Sequence, residues 1–148
     1  QVQGAVARLT SLVDQIRSVR RQLALRSEAL QGNAAAAEWV KGAQDLITRC
    51  DALEDRLHNP KAQVEYDILA TGSRLYSRLS PLLSSAVGGT GAPTQGMRDV
   101  FATQVKELDG YAGEGQKLVG ERLVSRERQG RELRLGEVVV PAAKAAAR

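Results

Sequence analysis

Apolar side chains recur every three or four positions through the first part of the chain, and this spacing constrains the fold more than any other feature. The positions that keep the spacing are Val2, Val6, Leu9, Val13, Ile16, Leu23 and Leu30. Because an α-helix turns once in about 3.6 residues, they fall on one face of an amphipathic helix. Arg20 and Ser27 stand where apolar residues would continue the pattern, so a strict coiled-coil seam is interrupted. We predict a long helix over residues 1–31.

A second apolar stripe follows a turn signal. Gly32 suits a left-handed helix end, and Asn33 suits the N-cap of a new helix. Apolar or small residues then return at helical spacing: Ala36, Trp39, Val40, Ala43, Leu46, Ile47, Cys50, Leu53 and Leu57. We predict a second helix over 34–58 that packs antiparallel against the first, with Trp39 in the core.

The rest of the chain predicts one short and one long helix. Residues 60–72 fit either a short helix or an irregular, extended crossover. A third helix is predicted over 73–87, and Pro81 either kinks it or starts a new turn. A glycine-rich loop over 88–94 leads to a last helix over 95–135, for which Thr94 is a good N-cap.

Four glycines stand inside the last predicted helix: Gly110, Gly113, Gly115 and Gly120. Each costs about 1 kcal/mol relative to alanine in a helix interior. Close packing of the backbone against a neighbour would explain them, and so would a local break near 110–120.

These segments predict an all-α protein, namely an up-down-up-down four-helix bundle with three long helices and a short, kinked third helix. The bundle is expected to form a single domain over 1–140, with a disordered tail over 141–148. The apolar run at 138–141 is expected to pack on the bundle or on another molecule. Aromatic residues make up only 3% of the chain, which also favours helices over strands.

The single cysteine and the single histidine exclude several kinds of chemistry. One cysteine cannot form an intramolecular disulfide, and together with one histidine it leaves a zinc site without its usual ligands. We expect no metal, no cofactor and no catalytic residue in this chain. Cys50 lies on an apolar stripe and is expected to be a buried, inert thiol, while His58 is expected to contact carbonyls at a helix end. No run approaches the roughly 18 apolar residues of a membrane span.

The net charge of +4 raises the question of nucleic-acid binding, but the distribution of charge argues against it. Residues 1–31 are mostly basic, and residues 34–59 are mostly acidic. If the two predicted helices are antiparallel neighbours, much of this charge is compensated between them. Arginines and glutamates alternate near the end of the chain, and aromatic residues that could stack on bases are scarce. Arginine-mediated nucleic-acid binding is therefore kept only as a second alternative.

Three runs in the middle of the chain carry a family resemblance. They are LHNPKAQVEYDIL at 57–69, RLYSRL at 74–79 and APTQGMRDV at 92–100. In this order they resemble the C-terminal helical region of large bacterial proteins that begin with a sortilin-like BNR/Asp-box β-propeller and are often described as glycosyl hydrolases. The resemblance implies that these helices belong to a larger, exported protein, periplasmic or extracellular. It does not carry the propeller's sugar chemistry over to this chain.

The same region contains one cluster of mixed polar residues: Asn59, Glu65, Tyr66, Asp67, Arg74, Tyr76 and Arg78. We expect it to be structural, with caps and buried ion pairs that satisfy the backbone of the crossover. The leading functional hypothesis is a non-catalytic module that packs on the propeller, on a second copy or on another protein. In the alternative, the cluster contributes carboxylates such as Glu65 and Asp67 to a glycoside-hydrolase-type site that the propeller completes.

Overall fold

The chain folds into α-helices. A computed structural model describes residues 1–59, 72–89, 91–135, 138, 140 and 141. The elements in chain order are α1 (Val2–Ala29), a 3₁₀ turn (Ala34–Ala36), α2 (Ala37–Leu57), α3 (Leu75–Gly88), α4 (Gln95–Lys117), a π-helical turn (Leu118–Arg122) and α5 (Leu123–Glu132). These described ranges contain no strand, and the predicted all-α class is confirmed.

The helix ends follow the predicted local signals. Gly32 has a φ of +82°, which glycine adopts without steric cost, and it reverses the chain after α1. The side chain of Asn33 accepts a hydrogen bond of 3.0 Å from the Ala35 amide. The Thr94 hydroxyl accepts one of 3.3 Å from the Met97 amide and so caps α4. Pro81 lies inside α3 without ending it.

Ion pairs between helices give their relative directions. Arg17 pairs with Glu54 and Arg20 pairs with Asp51, so residue numbers on α2 fall as those on α1 rise, and the two helices are antiparallel. Arg8 pairs with Asp109, and Arg26 pairs with Glu127. Here both numbers rise by 18, from 8 to 26 and from 109 to 127, so α1 runs parallel to the continuous helix formed by α4 and α5.

The short helix α3 runs in the same direction as α2. Its N-cap residue Arg74 contacts Asp55 near the end of α2, and its C-terminal half lies beside residues 1–3 at the start of the chain. The up-down-up-down order of the predicted bundle is therefore not confirmed, because α2 and α3 follow one another along α1 in the same direction. Glu54, in the last turn of α2, lies opposite Arg17, so α2 ends near the middle of α1. The first half of α1 is then covered by α3.

The apolar stripes of all the helices meet in one core. Its most deeply buried side chains are Leu9, Ile16, Leu23, Leu53, Leu57, Leu75, Leu79 and Leu108. Burial of each leucine or isoleucine contributes about 1.5–3 kcal/mol, so this core is the main source of stability. Of the two polar interruptions in the α1 stripe, Arg20 reaches acidic residues of α2, while Ser27 is buried and its hydroxyl has no hydrogen-bond partner among the described residues.

The glycines of the last helix have two different explanations. At Gly115, a methyl group would lie 2.7 Å from Leu12 Cδ1, so the glycine permits close packing of α4 on α1. The residues that follow, 118–122, form the π-helical turn, which widens the helix locally. Gly110, Gly113 and Gly120 face open space. Close packing is therefore confirmed at one glycine, and the helix widens at 118–122 without ending.

The last described residues pack on the bundle. Val138 is buried in the core, and Gln15 donates a hydrogen bond of 2.8 Å to the Pro141 carbonyl. Of the two alternatives for the run at 138–141, packing on the bundle is the one observed for these residues. The rest of the predicted tail, 142–148, and most of the predicted crossover, 60–71, lie outside the described residues.

Candidate functional site

The predicted polar cluster lies where α2 ends and α3 begins. Asn59 is buried just after α2. Arg74, the N-cap residue of α3, donates a hydrogen bond of 3.1 Å to Asp55, and the Tyr76 ring packs on the His58 ring with their centroids 5.3 Å apart. Glu65, Tyr66 and Asp67 lie outside the described residues, so the carboxylates of the glycoside-hydrolase alternative are not placed.

Arg78, the last member of the cluster, binds a partner that the sequence analysis did not single out. Its guanidinium donates two hydrogen bonds to the two carboxylate oxygens of Glu107 on α4, at 2.9 and 2.7 Å. Tyr111 donates a third, of 3.0 Å, to the same carboxylate. A bidentate pair of this kind is strong and directional, so it fixes α3 against α4.

These contacts shift the pKa values of all three groups. The hydrogen bond from Arg78 lowers the pKa of Glu107, and the same bond raises the pKa of Arg78. Burial, followed by the contact with Glu107, raises the pKa of Tyr111. A carboxylate with a lowered pKa stays ionised at neutral pH, whereas a glycosidase acid needs a raised pKa. Glu107 therefore lacks the raised pKa of a glycosidase acid.

His58 differs from its predicted role. We expected its side chain to contact helix-end carbonyls. Instead its ring contacts Tyr76, and its Nδ1 has no hydrogen-bond partner within the part of the chain that the structure describes. The helix end is closed by the His58 backbone amide, which donates to the Glu54 carbonyl at 2.8 Å. Tyr76 lies near the start of α3, and the position of α3 relative to α2 could not be predicted from the sequence.

A buried carboxylate joins α1 to α2. Glu54 is only 1% exposed, and it accepts hydrogen bonds from Arg17 Nε at 2.6 Å and from Arg20 Nη1 at 3.0 Å. Arg20 also bonds Asp51 at 2.6 Å. This network confirms the predicted compensation of charge between the basic and acidic segments. The available signal for Glu54 was its place on the apolar stripe, four residues after Cys50 and three before Leu57.

Part of the positive charge on the described residues is compensated in the same way. Ion pairs with carboxylates are formed by nine arginines among the described residues: Arg8, Arg17, Arg20, Arg26, Arg49, Arg56, Arg74, Arg78 and Arg122. A phosphate backbone would have to compete with these partners for the same guanidinium groups. The arrangement does not favour the nucleic-acid alternative.

Trp39 and Cys50 are both core residues, as predicted. The indole N–H of Trp39 donates a hydrogen bond of 3.1 Å to the Arg126 carbonyl, and the ring packs against Gly130 of α5. Burial raises the pKa of the Cys50 thiol to about 11. The thiol is therefore protonated at neutral pH, which makes it a poor nucleophile.

An apolar groove opens at the end of the bundle where α1 begins. It has a volume of about 370 Å³ and lies between residues 1–3, the second half of α3 and the start of α4. The side chains that give it its apolar character are Val2, Leu82, Leu83, Val87, Met97 and Phe101. Val87 is 79% exposed beside the groove, although most valines in a folded chain are buried. We call this surface the end groove; the sequence signal for it was the excess of apolar residues in the short third helix.

Two further features of the described residues bear on function. They contain no group of three or more histidine, cysteine, aspartate or glutamate side chains placed to hold a metal ion. No described helix combines the length and the apolar character that a membrane span requires.

Comparison with known proteins finds no match to a family model, to a curated protein or to a solved structure. The resemblance to the helical region of propeller proteins therefore stays a prediction, and it rests on the three sequence runs that carry it.

Proposed function

We propose that this chain is a non-catalytic helical module that binds another protein through the end groove. The observation that carries the proposal is the groove itself, where Leu83, Val87 and Phe101 present apolar surface to solvent. A contiguous exposed apolar surface rimmed by polar residues is typical of protein interaction sites. By contrast, the polar residues placed near the predicted cluster are engaged with one another.

The partner we propose is a β-propeller domain of the same polypeptide, as the resemblance implies. The parent would then be an exported protein, periplasmic or extracellular. In this arrangement any sugar chemistry belongs to the propeller, and the helices position it or join it to other proteins.

The test is binding of the purified propeller domain to the helical chain, measured by calorimetry. Val87→Glu places a charge in the groove at an exposed position, so the fold should be kept while affinity falls by at least about tenfold. Val124→Glu is the matched control, because Val124 is also an exposed valine, 52% exposed, but lies on α5 away from the groove. The control should bind like the wild type.

Two results would overturn the proposal. One is a compact monomer by light scattering together with no detectable binding of the propeller. The other is binding that Val87→Glu and Val124→Glu weaken equally, since the groove would then have no special part in it.

A further inference from the structure

A small pocket lies where α2 faces the π-helical turn and α5. It has a volume of about 150 Å³, and the residues that line it are Gly42, Asp45, Leu46, Arg122, Ser125 and Arg126. Pockets that bind drug-sized molecules measure about 300–1,000 Å³, so this one suits a single small chemical group. We call it the arginine pocket, because two guanidinium groups line it.

One of these guanidinium groups occupies a space that only a glycine leaves. The Arg126 side chain lies over Gly42 of α2, where a methyl group on residue 42 would overlap its Nη1 and Cζ atoms. The same guanidinium donates a hydrogen bond of 3.3 Å to the Glu38 backbone carbonyl. Within the described ranges Arg126 forms no ion pair with a carboxylate. The fold therefore holds a positive charge at this position and does not neutralise it.

The carboxylate that lines the pocket is already engaged. Arg49 donates a hydrogen bond of 2.9 Å to Asp45 Oδ2, while Arg122 Nη1 lies 3.8 Å from the same oxygen, which is too far for a hydrogen bond. The hydrogen bond from Arg49 lowers the pKa of Asp45, and the charges of Arg122 and Arg126 lower it further. Asp45 is thus ionised at neutral pH. Three guanidinium groups around this one carboxylate leave a net charge of two positive.

The two arginines of the pocket are placed side by side on one face of the last helix. Arg122 ends the π-helical turn, and Arg126 follows four residues later in α5. Like charges four residues apart repel one another and destabilise a helix, so an anion between them would remove that repulsion. Ser125, which also lines the pocket, has a hydroxyl without a hydrogen-bond partner among the described residues. Single π-helical turns inside α-helices frequently occur at functional sites.

We propose that the arginine pocket binds a phosphate group, either free inorganic phosphate or the phosphate of a small monoester. A phosphomonoester carries a charge of about −1.5 to −2 at pH 7, which matches the net positive charge here better than a carboxylate does. Guanidinium groups donate paired hydrogen bonds to phosphate oxygens, and the Ser125 hydroxyl supplies a further donor. The pocket is separate from the end groove, and the proposal does not depend on a propeller as partner.

The test is a calorimetric titration of the full chain with sodium phosphate at neutral pH. Sodium chloride keeps the ionic strength constant in every solution, so general screening of charge is excluded. We expect saturable binding of one phosphate per chain. Titration with glycerol phosphate distinguishes the two sources of the group. Equal affinity for both ligands indicates a monoester site, and weaker binding of glycerol phosphate indicates a site for the free ion.

Two substitutions locate the binding in the pocket. Arg126→Ala should weaken phosphate binding at least about tenfold, because it removes hydrogen bonds between charged groups. Arg128→Ala is the matched control, since it removes an exposed arginine of α5 that does not line the pocket, and it should bind like the wild type. Gly42→Ala should also weaken binding, because the added methyl group displaces the Arg126 guanidinium. Its control is Gly110→Ala, whose methyl group meets open space.

A third substitution should act in the opposite direction. Asp45→Asn removes the negative charge that lines the pocket, so phosphate should bind severalfold more tightly. Circular dichroism checks that each variant keeps its helices. Three results would overturn the proposal. They are the lack of saturable binding of both phosphate and glycerol phosphate, equal affinities of Arg126→Ala and Arg128→Ala, and weaker binding by Asp45→Asn than by the wild type.

Discussion

Arg17 on α1 donates a hydrogen bond of 2.6 Å to the carboxylate of Glu54 on α2, while Arg20 holds the other oxygen of the same group. The three side chains differ in exposure. Glu54 is almost fully buried, whereas both arginines are at least about one third exposed. Either arginine can be hydrated when it loses its partner, whereas the Glu54 carboxylate is almost fully buried and depends on the two arginines as partners for its charge.

This asymmetry predicts a non-additive effect of two substitutions. Arg17→Ala or Arg20→Ala alone should lower the free energy of unfolding by about 1 kcal/mol, because the other arginine still pairs with Glu54. The double variant should lose about 3–5 kcal/mol, since it leaves a buried charge without a partner. Urea denaturation of the four chains measures the coupling. Arg8→Ala, which breaks an exposed pair with Asp109, should cost under about 1 kcal/mol, and additivity of the first two changes would contradict the prediction.

A second prediction concerns two glycines of α4 that the sequence could not tell apart. Gly110→Ala should raise the free energy of unfolding by about 0.5–1 kcal/mol, because a methyl group there meets nothing and alanine favours the helix. Gly115→Ala should be less stable than Gly110→Ala by at least about 1 kcal/mol, since its methyl group would lie 2.7 Å from Leu12 Cδ1. Thermal denaturation of Gly110→Ala and Gly115→Ala compares the stability of the two variants. Equal stability of the two variants would mean that the Leu12 side chain, or α1 itself, can shift at no cost.

Features that depend on near neighbours in the sequence could be predicted, whereas features that depend on contacts between helices could not. The all-α class, the turn at Gly32 and the caps at Asn33 and Thr94 followed from local spacing and residue type, because they depend on neighbours within one or two helical turns. The direction of α3 did not follow, since it depends on how far along α1 the second helix reaches. That length is set by which residues pair between α1 and α2, such as Arg17 with Glu54, and periodicity carries no information about the pairing.

The same difference between local sequence patterns and contacts between distant residues applies to the candidate sites. Trp39 and Cys50 were predicted in the core because each lies on an apolar stripe. Glu107 was not singled out, although it is the partner of Arg78, because the two residues are brought together by the α3–α4 hairpin and share no local motif. The end groove was also missed as a surface, since its lining residues come from three separate helices.

A third prediction concerns the reactivity of Cys50. Burial raises the pKa of its thiol to about 11, so very little thiolate exists at pH 8 in the folded chain. Reaction with a disulfide reagent at pH 8 should therefore be at least about a hundredfold slower than that of a free cysteine and should become fast in denaturant. Both labelling rates are measured from the absorbance of the group that the reagent releases, with and without denaturant. Rapid labelling of the folded chain would show that this region of α2 opens readily.

The final prediction concerns the acid stability of the Arg78–Glu107 pair, which joins α3 to α4. Its hydrogen bonds lower the pKa of Glu107 in the folded chain below the value of about 4.3 expected in the unfolded chain. The stability that the pair contributes is therefore fully present above about pH 5 and is lost as the pH falls through the lower, folded-state pKa. Glu107→Gln should be less stable than the wild type at pH 7, and this difference should shrink as the pH falls toward 3, as measured by urea denaturation across the range. Tyr111→Phe, which removes only one of the three hydrogen bonds, should show the same trend with a smaller amplitude. A difference between Glu107→Gln and the wild type that stayed constant or grew on acidification would mean that the carboxylate is not stabilised in its ionised form by Arg78.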